Sequence, residues 1–508
     1  MKDIIKLALR NLKEHKSKTL IISLFILFGV AIVIMGNSFL ESINRGLEKD
    51  FRANVTSDIV ISPIPEKGTI IDIGGVISTG GSIDSLKVPG LADIEKIEKI
   101  IAETKSVKKQ TKLITAAVMV SVGTEVDLSV LTENDDLDYS KYPSAVLFAG
   151  EDGTYRDMFP DLKIIEGSYP TPGSNEIIVD NRILENIKAV YKKDLKVGDA
   201  VSIMGMSSGG KIREAKVSGI YKPANEHSAM YQPIYCEPSL ARSFADLTYA
   251  SSFKEELPSN VDLSLSSLSE DDLFANEDDD SIDGGSAVLG DSSVGFDNIL
   301  GDTTLRNELN KTDDGSWQYI LLRLDNARAD KRLVVELNKR FKEEGLNAQA
   351  MNWKKGAYSY SSTVDGIGYI FNILIIILAI VVFIIIMNTM VVSVFERTSE
   401  IGTMRAIGAE KKFVRRLFNS EALILTSLSS VGGIIFAFIV MLIFNSLNLT
   451  ITNAIAKEIL GGGMLHFSPT PQIVILIIGV AIVGGLFANM YPVKSALKIT
   501  PIKALSKE

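Results

Sequence analysis

The chain has 508 residues, 23% of them charged, yet its mean hydropathy is positive, so a few intensely apolar segments must sit beside a large hydrated part. That balance argues against an entirely water-soluble protein and excludes both a polytopic bundle and a disordered chain. A formal net charge of -9 argues against a nucleic-acid binder, and the lone Cys236 with three scattered histidines, His15, His227 and His466, leaves almost nothing for a disulfide or a Cys/His zinc site.

Residues 1–18 place Ile4, Ile5, Ala8, Leu9 and Leu12 at helical spacing, with Lys2, Lys6, Arg10 and Lys13 on the other side. The pattern predicts an amphipathic helix along the inner leaflet, serving as a lever toward a cytoplasmic partner or as a simple anchor. Residues 19–41 form the first predicted span: no ionisable residue lies between Lys18 and Glu41, and the run satisfies the ~20 apolar residues that ~30 Å of hydrocarbon requires. A cleaved signal peptide would have a shorter apolar core and a small-residue cleavage site.

Residues 42–366 are predicted to form a large extracytoplasmic α+β domain. Its expected elements are a helical continuation over 42–52, a strand at 58–62, a helix at 91–104 and a strand at 113–122. A second subdomain is expected over about 146–221, with a strand at 176–179, a helix at 182–191 and a turn-rich β segment at 196–203. A strand at 318–324, a helix at 329–344 and a strand at 347–353 complete it. Residues 253–316 are dense in Asp, Ser and Gly without a clear apolar period. The order of an EF-hand loop is absent there, which predicts a flexible or loosely docked acidic insertion.

The second span is placed at 367–394, a cytoplasmic loop at 395–421, the third span at 422–445, an external loop at 446–471, the fourth span at 472–492 and a cytoplasmic tail at 493–508. Basic residues gather in the N-terminal segment, in the 395–421 loop (Arg397, Arg405, Lys411, Lys412, Arg415, Arg416) and in the tail (Lys494, Lys498, Lys503, Lys507). The positive-inside rule therefore puts these three segments in the cytoplasm and the acidic 42–366 outside. The expected fold class is membrane α-helical, four transmembrane helices in a 1+3 order, with a large α+β extracytoplasmic domain. Gly432-Gly433 and Gly484-Gly485 either admit close helix approach or face lipid.

No phosphate-loop, H-E-x-x-H or G-x-S-x-G motif occurs, and the pair Glu226-His227 is ordinary surface chemistry. Nearly charge-free spans disfavour an ion or proton pathway. The informative stretch is 395–421. Ser399 is expected to cap a short helix, Glu400 to suit its positive end and Gly408 to end it in a left-handed conformation. Ile401, Met404 and Gly408 fall on one face, with Glu400 and Arg405 at its edge. Such a helix is either a plug for another protein's groove or a helix on the lipid surface.

The run ERTSEIGTMRAIGA at 396–409, with Glu421 opening the next span, resembles the signature of the MacB/FtsX-like ABC transporter permease family. LALRNLKEHKSKT at 7–19 and the terminal stretch from Tyr491-Pro492 through Thr500, Pro501, Ile502, Lys503, Ala504 and Leu505 are similar to the family's two ends. Residues 162–167, NEIIVD at 175–180 and LKVGDAVSI at 195–203 are similar to its periplasmic core domain. The resemblance implies a non-catalytic permease of the bacterial cytoplasmic membrane, in contact with lipid, that pairs with a second permease chain, identical or not, and binds a separate cytoplasmic ATPase. ATP and Mg²⁺ would sit in that partner, with no cofactor bound directly by this chain and no nucleic acid involved. The implied coupling residues are Glu396, Arg397, Glu400, Ile401, Gly402, Met404, Arg405, Ala406, Gly408 and Ala409.

MacB carries its ATPase on the same chain; the departure here points to the lipoprotein-releasing LolC/LolE branch, with lipoprotein cargo and a periplasmic acceptor. The alternatives are a drug or peptide efflux permease and an FtsX-like regulator of cell-wall hydrolysis. An acyl chain needs an apolar shelter worth about 0.8 kcal/mol per buried CH₂. In a dimer of such permeases, Ile34, Met35, Phe39 and Ile43 of the first span, against Ile367, Ile370, Phe371 and Leu374 of the second, are the expected substrate cavity.

Overall fold

The computed structural model describes residues 2–14, 16–78, 88–122, 144–160, 162–206, 211–222, 233–247, 315–449 and 466–496. It divides into two compact units. One is helical, made chiefly of residues 1–57 and 353–508, and opens with α1 (Lys2–Glu14) and α2 (Lys16–Asn54). The other is an α/β body of residues 58–222 and 231–352.

In the α/β body the strands run β1 (Ile59–Pro63), β2 (Thr69–Asp72), β3 (Gly75–Ser78), β4 (Val107–Ser121), β5 (Ser144–Gly150), β6 (Lys163–Gly167), β7 (Glu176–Asp180), β8 (Ala200–Gly205), β9 (Ile212–Lys222), β10 (Pro233–Cys236), β11 (Tyr319–Leu324) and β12 (Ala348–Asn352). Its helices are α3 (Ile94–Ala102), α4 (Thr154–Met158), α5 (Asn181–Tyr191), α6 (Pro238–Phe244) and α7 (Asp330–Glu343). Ten of the strands form one sheet in the order β12-β1-β11-β4-β5-β10-β7-β9-β6, with β8 pairing β4 and β9. The expected second subdomain over about 146–221 shares this sheet with the rest of the body. The 15-residue β4 pairs β11 through Val107 to Leu113 and then β5 and β8 through Leu113 to Ser121, so one strand serves both halves.

Each half keeps its own core. Ile59, Ile61, Ile97, Leu322, Leu337 and Phe341 fill one beneath α3 and α7; Ile114, Val118, Val179, Ile183, Ile203 and Phe244 fill the other with α5 and α6. Gln318 ties them: its Oε1 accepts from the Thr115 amide (2.8 Å) and its Nε2 donates to the Val88 carbonyl (2.9 Å), both in buried surroundings. Asp180 caps α5 by accepting from the Arg182 amide at 2.8 Å. The acidic stretch 253–314, Glu226-His227, most of the external loop 446–471 and the terminal motif 500–505 lie outside the described residues.

The helical unit continues with α8 (Trp353–Gly356), α9 (Tyr358–Glu396), α10 (Thr398–Ala406), α11 (Lys411–Ser446) and α12 (Pro471–Ala496). Among the described residues four of its helices are long and apolar enough to cross a membrane: Thr19–Asn54, Tyr358–Ile385, Lys411–Ser446 and Pro471–Lys494. Residues 42–54 continue the first long helix, as expected over 42–52, and residues 358–366 are the first turns of the second. Ile43, Leu47 and Phe51 repeat at four-residue spacing and are buried, and the Phe51 ring lies 6.4 Å from Trp353 and 5.5 Å from Tyr360, so the apolar seam outlasts the span.

Helix α1 forms over the expected segment. Ala8 and Asn11 are buried and Leu12 packs against the core of the bundle, whereas Ile5 and Leu9 stay exposed. The helix thus docks on the bundle by one stripe and offers lipid only a neighbouring one. Of the glycine pairs, one member of each makes the close approach. A β-carbon on Gly433 would stand 2.6 Å from the Leu27 carbonyl oxygen and one on Gly485 would strike the Thr426 side chain, while Gly484 faces open space.

Candidate coupling site

Helix α9 ends at Glu396 and α10 starts at Thr398, with Arg397 between them in the N-cap position. Ser399 is therefore inside the helix and caps nothing, which corrects the expected boundary. The helix begins two residues earlier, where the chain turns at Arg397 and the Thr398 hydroxyl donates back to the Phe395 carbonyl at 2.6 Å. At the other end Gly408 has φ 107, and the amides of Gly408 and Ala409 donate to the carbonyls of Arg405 (3.2 Å) and Met404 (2.9 Å). This is the left-handed stop that only glycine adopts without strain. Glu400 in the first turn and Arg405 in the last both complement the helix dipole.

The Ile401 and Met404 face of α10, expected to plug a partner, turns inward. Ile401, only 2% exposed, packs with Val394, Val414, Phe418 and Val493, and Met404 leans on the same cluster. Gly402 is buried beside it. These residues fasten α10 to the ends of α9, α11 and α12. The open face instead carries Glu400, Thr403, Ala406 and Ile407, the last 83% exposed. Ile407 is the residue sequence reasoning missed. Its signal was an aliphatic side chain out of phase with Ile401 and Met404 in a helix whose inner face was already complete. A shallow hollow of Ala409, Glu410, Lys412, Phe413 and Arg416 adjoins it.

Arg397, nearly buried, anchors the junction. Its Nε donates to Glu400 Oε2 at 3.1 Å, its Nη1 to Glu421 Oε2 at 3.0 Å, and its guanidinium lies 5.3 Å from the Phe418 ring centre. Glu400 thus pairs with Arg397, not with Arg405, and Glu396 lies exposed at the end of α9.

The expected substrate cavity does not assemble within one chain. Ile34 and Ile43 are buried in the helical core, Phe39 meets Phe467 at 5.7 Å, and the Phe371 ring occupies the space beside Gly36 that any larger residue would need. Met35 and Ile367 are half-buried; Ile370 and Leu374 point outward. The two spans close on each other there because Gly36 and Phe371 are complementary in shape.

Among the described residues, four membrane-length helices, a short helix between the second and third, and an α/β body inserted between the first and second define a multi-span membrane protein with one large α+β domain. Residues 19–267 match the MacB-like periplasmic core domain and residues 372–501 match the FtsX-like permease C-terminal domain. The chain belongs to the MacB/FtsX-like family of ABC transporter permeases.

It is similar to the macrolide export ATP-binding/permease protein MacB of Mannheimia succiniciproducens, 35% identical over 123 residues, which is 24% of this chain and 17% of that protein. It is also similar to the ABC transporter permease YtrF of Bacillus subtilis, 37% identical over 125 residues, 24% of this chain and 28% of that one. The chain thus spans less than a third of either relative. The crystal structure of the periplasmic region of MacB from Actinobacillus actinomycetemcomitans aligns with 61% of this chain and 94% of its own, at 12% identity and a TM-score of 0.26.

Proposed function

We propose that this chain is the membrane subunit of an ABC transporter, in which α10 receives a separate cytoplasmic ATPase and passes its motion to the extracytoplasmic body. The observation that supports this best is the two-faced α10: Ile401 and Met404 are sunk in the chain's own helix ends, while Ile407 and Glu400 stand out beside a basic margin. An isoleucine left open in a segment with a glycine-fixed stop is an anchor for a groove. ATP and Mg²⁺ belong to the partner, and two permease chains, identical or not, would flank one pair of ATPases.

The cargo reading we favour is extrusion of an amphipathic small molecule or peptide: within one chain Phe371 at Gly36 closes the first span on the second and leaves no shelter for acyl chains there. Relatives named as macrolide exporters support the same direction. Lipoprotein release, with a periplasmic acceptor, would have to use Ile370 and Leu374 between two chains.

The test is Ile407→Asp in the full chain. A charge at the centre of an apolar contact should lower ATPase retention and ATP-dependent activity by more than about tenfold, the equivalent of ~1.4 kcal/mol, while expression and membrane insertion persist. Undiminished copurification of the ATPase would refute the docking role. Photo-crosslinkers at Ile370 and Leu374 separate the cargo readings: lipoprotein adducts that disappear with ATP would overturn the extrusion reading.

A further inference from the structure

Glu421 accepts hydrogen bonds from two elements far apart in sequence. Its Oε1 accepts from Asn11 Nδ2 of α1 at 2.7 Å, and its Oε2 accepts from Arg397 Nη1 at 3.0 Å, at the hinge between α9 and α10. All three side chains are buried. Ala8, fully buried one turn before Asn11, lets α1 lie close to the bundle. An amide suits the third position: it donates to the carboxylate without adding a charge, and Arg397 supplies the compensating one.

We propose that Asn11, Glu421 and Arg397 act as a positioning relay that fixes α1 to α10, so that both helices and the start of α11 move together when the coupling helix is displaced. The proposal deepens the docking role given to α10 and rests on it. In this arrangement α1 is a second lever on the cytoplasmic side. Buried, mutually satisfied polar groups of this kind specify one arrangement, because any slip leaves a charge unpaired away from water. Glu400, which shares Arg397, carries the relay out to the exposed face of α10.

Pulsed electron resonance on the full chain in lipid nanodiscs tests it, with Cys236→Ser removing the native thiol and spin labels at the exposed positions Lys6 and Thr403. The relay predicts one narrow distance between α1 and α10. Asn11→Asp sets a second carboxylate against Glu421 and should broaden or split that distance. Asn11→Asp combined with Glu421→Gln exchanges acid and amide: the amide now on α11 donates to the carboxylate now on α1 and still accepts from Arg397, and the narrow distance should return. A narrow distance in Asn11→Asp, or no recovery in the exchange variant, overturns the relay.

In unlabelled protein with the ATPase that copurifies with the chain, Asn11→Asp should retain that ATPase yet lower coupled turnover about tenfold, with recovery in the exchange variant. Turnover unchanged by Asn11→Asp also overturns it. Ile407→Asp keeps the two failures apart, since it removes the ATPase while leaving the Lys6–Thr403 distance narrow.

Discussion

Gly433→Ala asks whether the first and third spans meet backbone to backbone. The added β-carbon would stand 2.6 Å from the Leu27 carbonyl oxygen, 3.2 Å from Leu27 Cα and 3.1 Å from Val30 Cβ. Main-chain atoms cannot rotate aside, so α2 and α11 must separate. Overpacking of this kind costs about 1–3 kcal/mol, against which alanine regains up to ~1 kcal/mol of helix propensity over glycine. The net effect is a loss reaching about 2 kcal/mol.

Gly484→Ala is the control. Nothing lies within 4 Å of its β-carbon, so it keeps only the propensity gain. Gly432→Ala meets Leu27 Cδ1 at 3.4 Å, an ordinary contact, and should stay near the parent. Gly485→Ala collides with Thr426, whose rotamer is tied by donation to the Ala422 carbonyl at 2.8 Å, and should fall with Gly433→Ala. Thermal unfolding in one detergent, followed by loss of the monodisperse peak, gives the ranking. Equal stability of Gly433→Ala and Gly484→Ala would refute the backbone contact.

Two further predictions concern the α/β body. Gln318→Leu strands the Thr115 amide and the Val88 carbonyl in the interior, and should lower stability by about 2 kcal/mol or more, read as an earlier denaturant midpoint in the fluorescence of the neighbouring Trp317. Burial pushes the Cys236 thiol well above its usual value, with the charge of Glu237 adding to the shift. The thiol stays protonated and shielded through the neutral and mildly alkaline range, so a maleimide should label the native chain negligibly and the denatured chain fully. Rapid native labelling at pH 8 would contradict that placement.

Much of the framework was legible because its signals are local. Span lengths follow from runs without charge, and the strands at 59–63, 176–180 and 348–352 from their β-branched content or their alternation. Gly408 announced the end of α10 because a left-handed stop favours one residue type. What periodicity could not supply was partnership. Ile401 and Ile407 are equally aliphatic; only the positions of Val394, Phe418 and Val493 decide which is sealed in. The Arg397 contact to Glu421 bridges 24 residues and the Asn11 contact 410, distances at which no spacing rule operates. Unity of the sheet was hidden for a related reason: a 15-residue strand that changes partners midway reads as one strand wherever it is met.

The apolar helices pose the same difficulty more sharply. In hydrocarbon an exposed isoleucine carries no penalty, so hydrophobicity does not say which face of a span is covered. Tyr369, Ile370, Ile373, Leu374, Ile377 and Ile380 line the open side of the second span, and its most apolar stretch contains no buried residue. The covered side is chosen by shape instead: Phe371 enters the gap at Gly36, and Leu27 crosses at Gly433. Each contact needs a small residue on one helix and the right neighbour on another, which is a property of a pair. Within one chain, the substrate cavity expected between the first two spans does not open at this point. The side chains named for it have suitable chemistry, but Gly36, which none of the chemistry pointed to, lets the helices close.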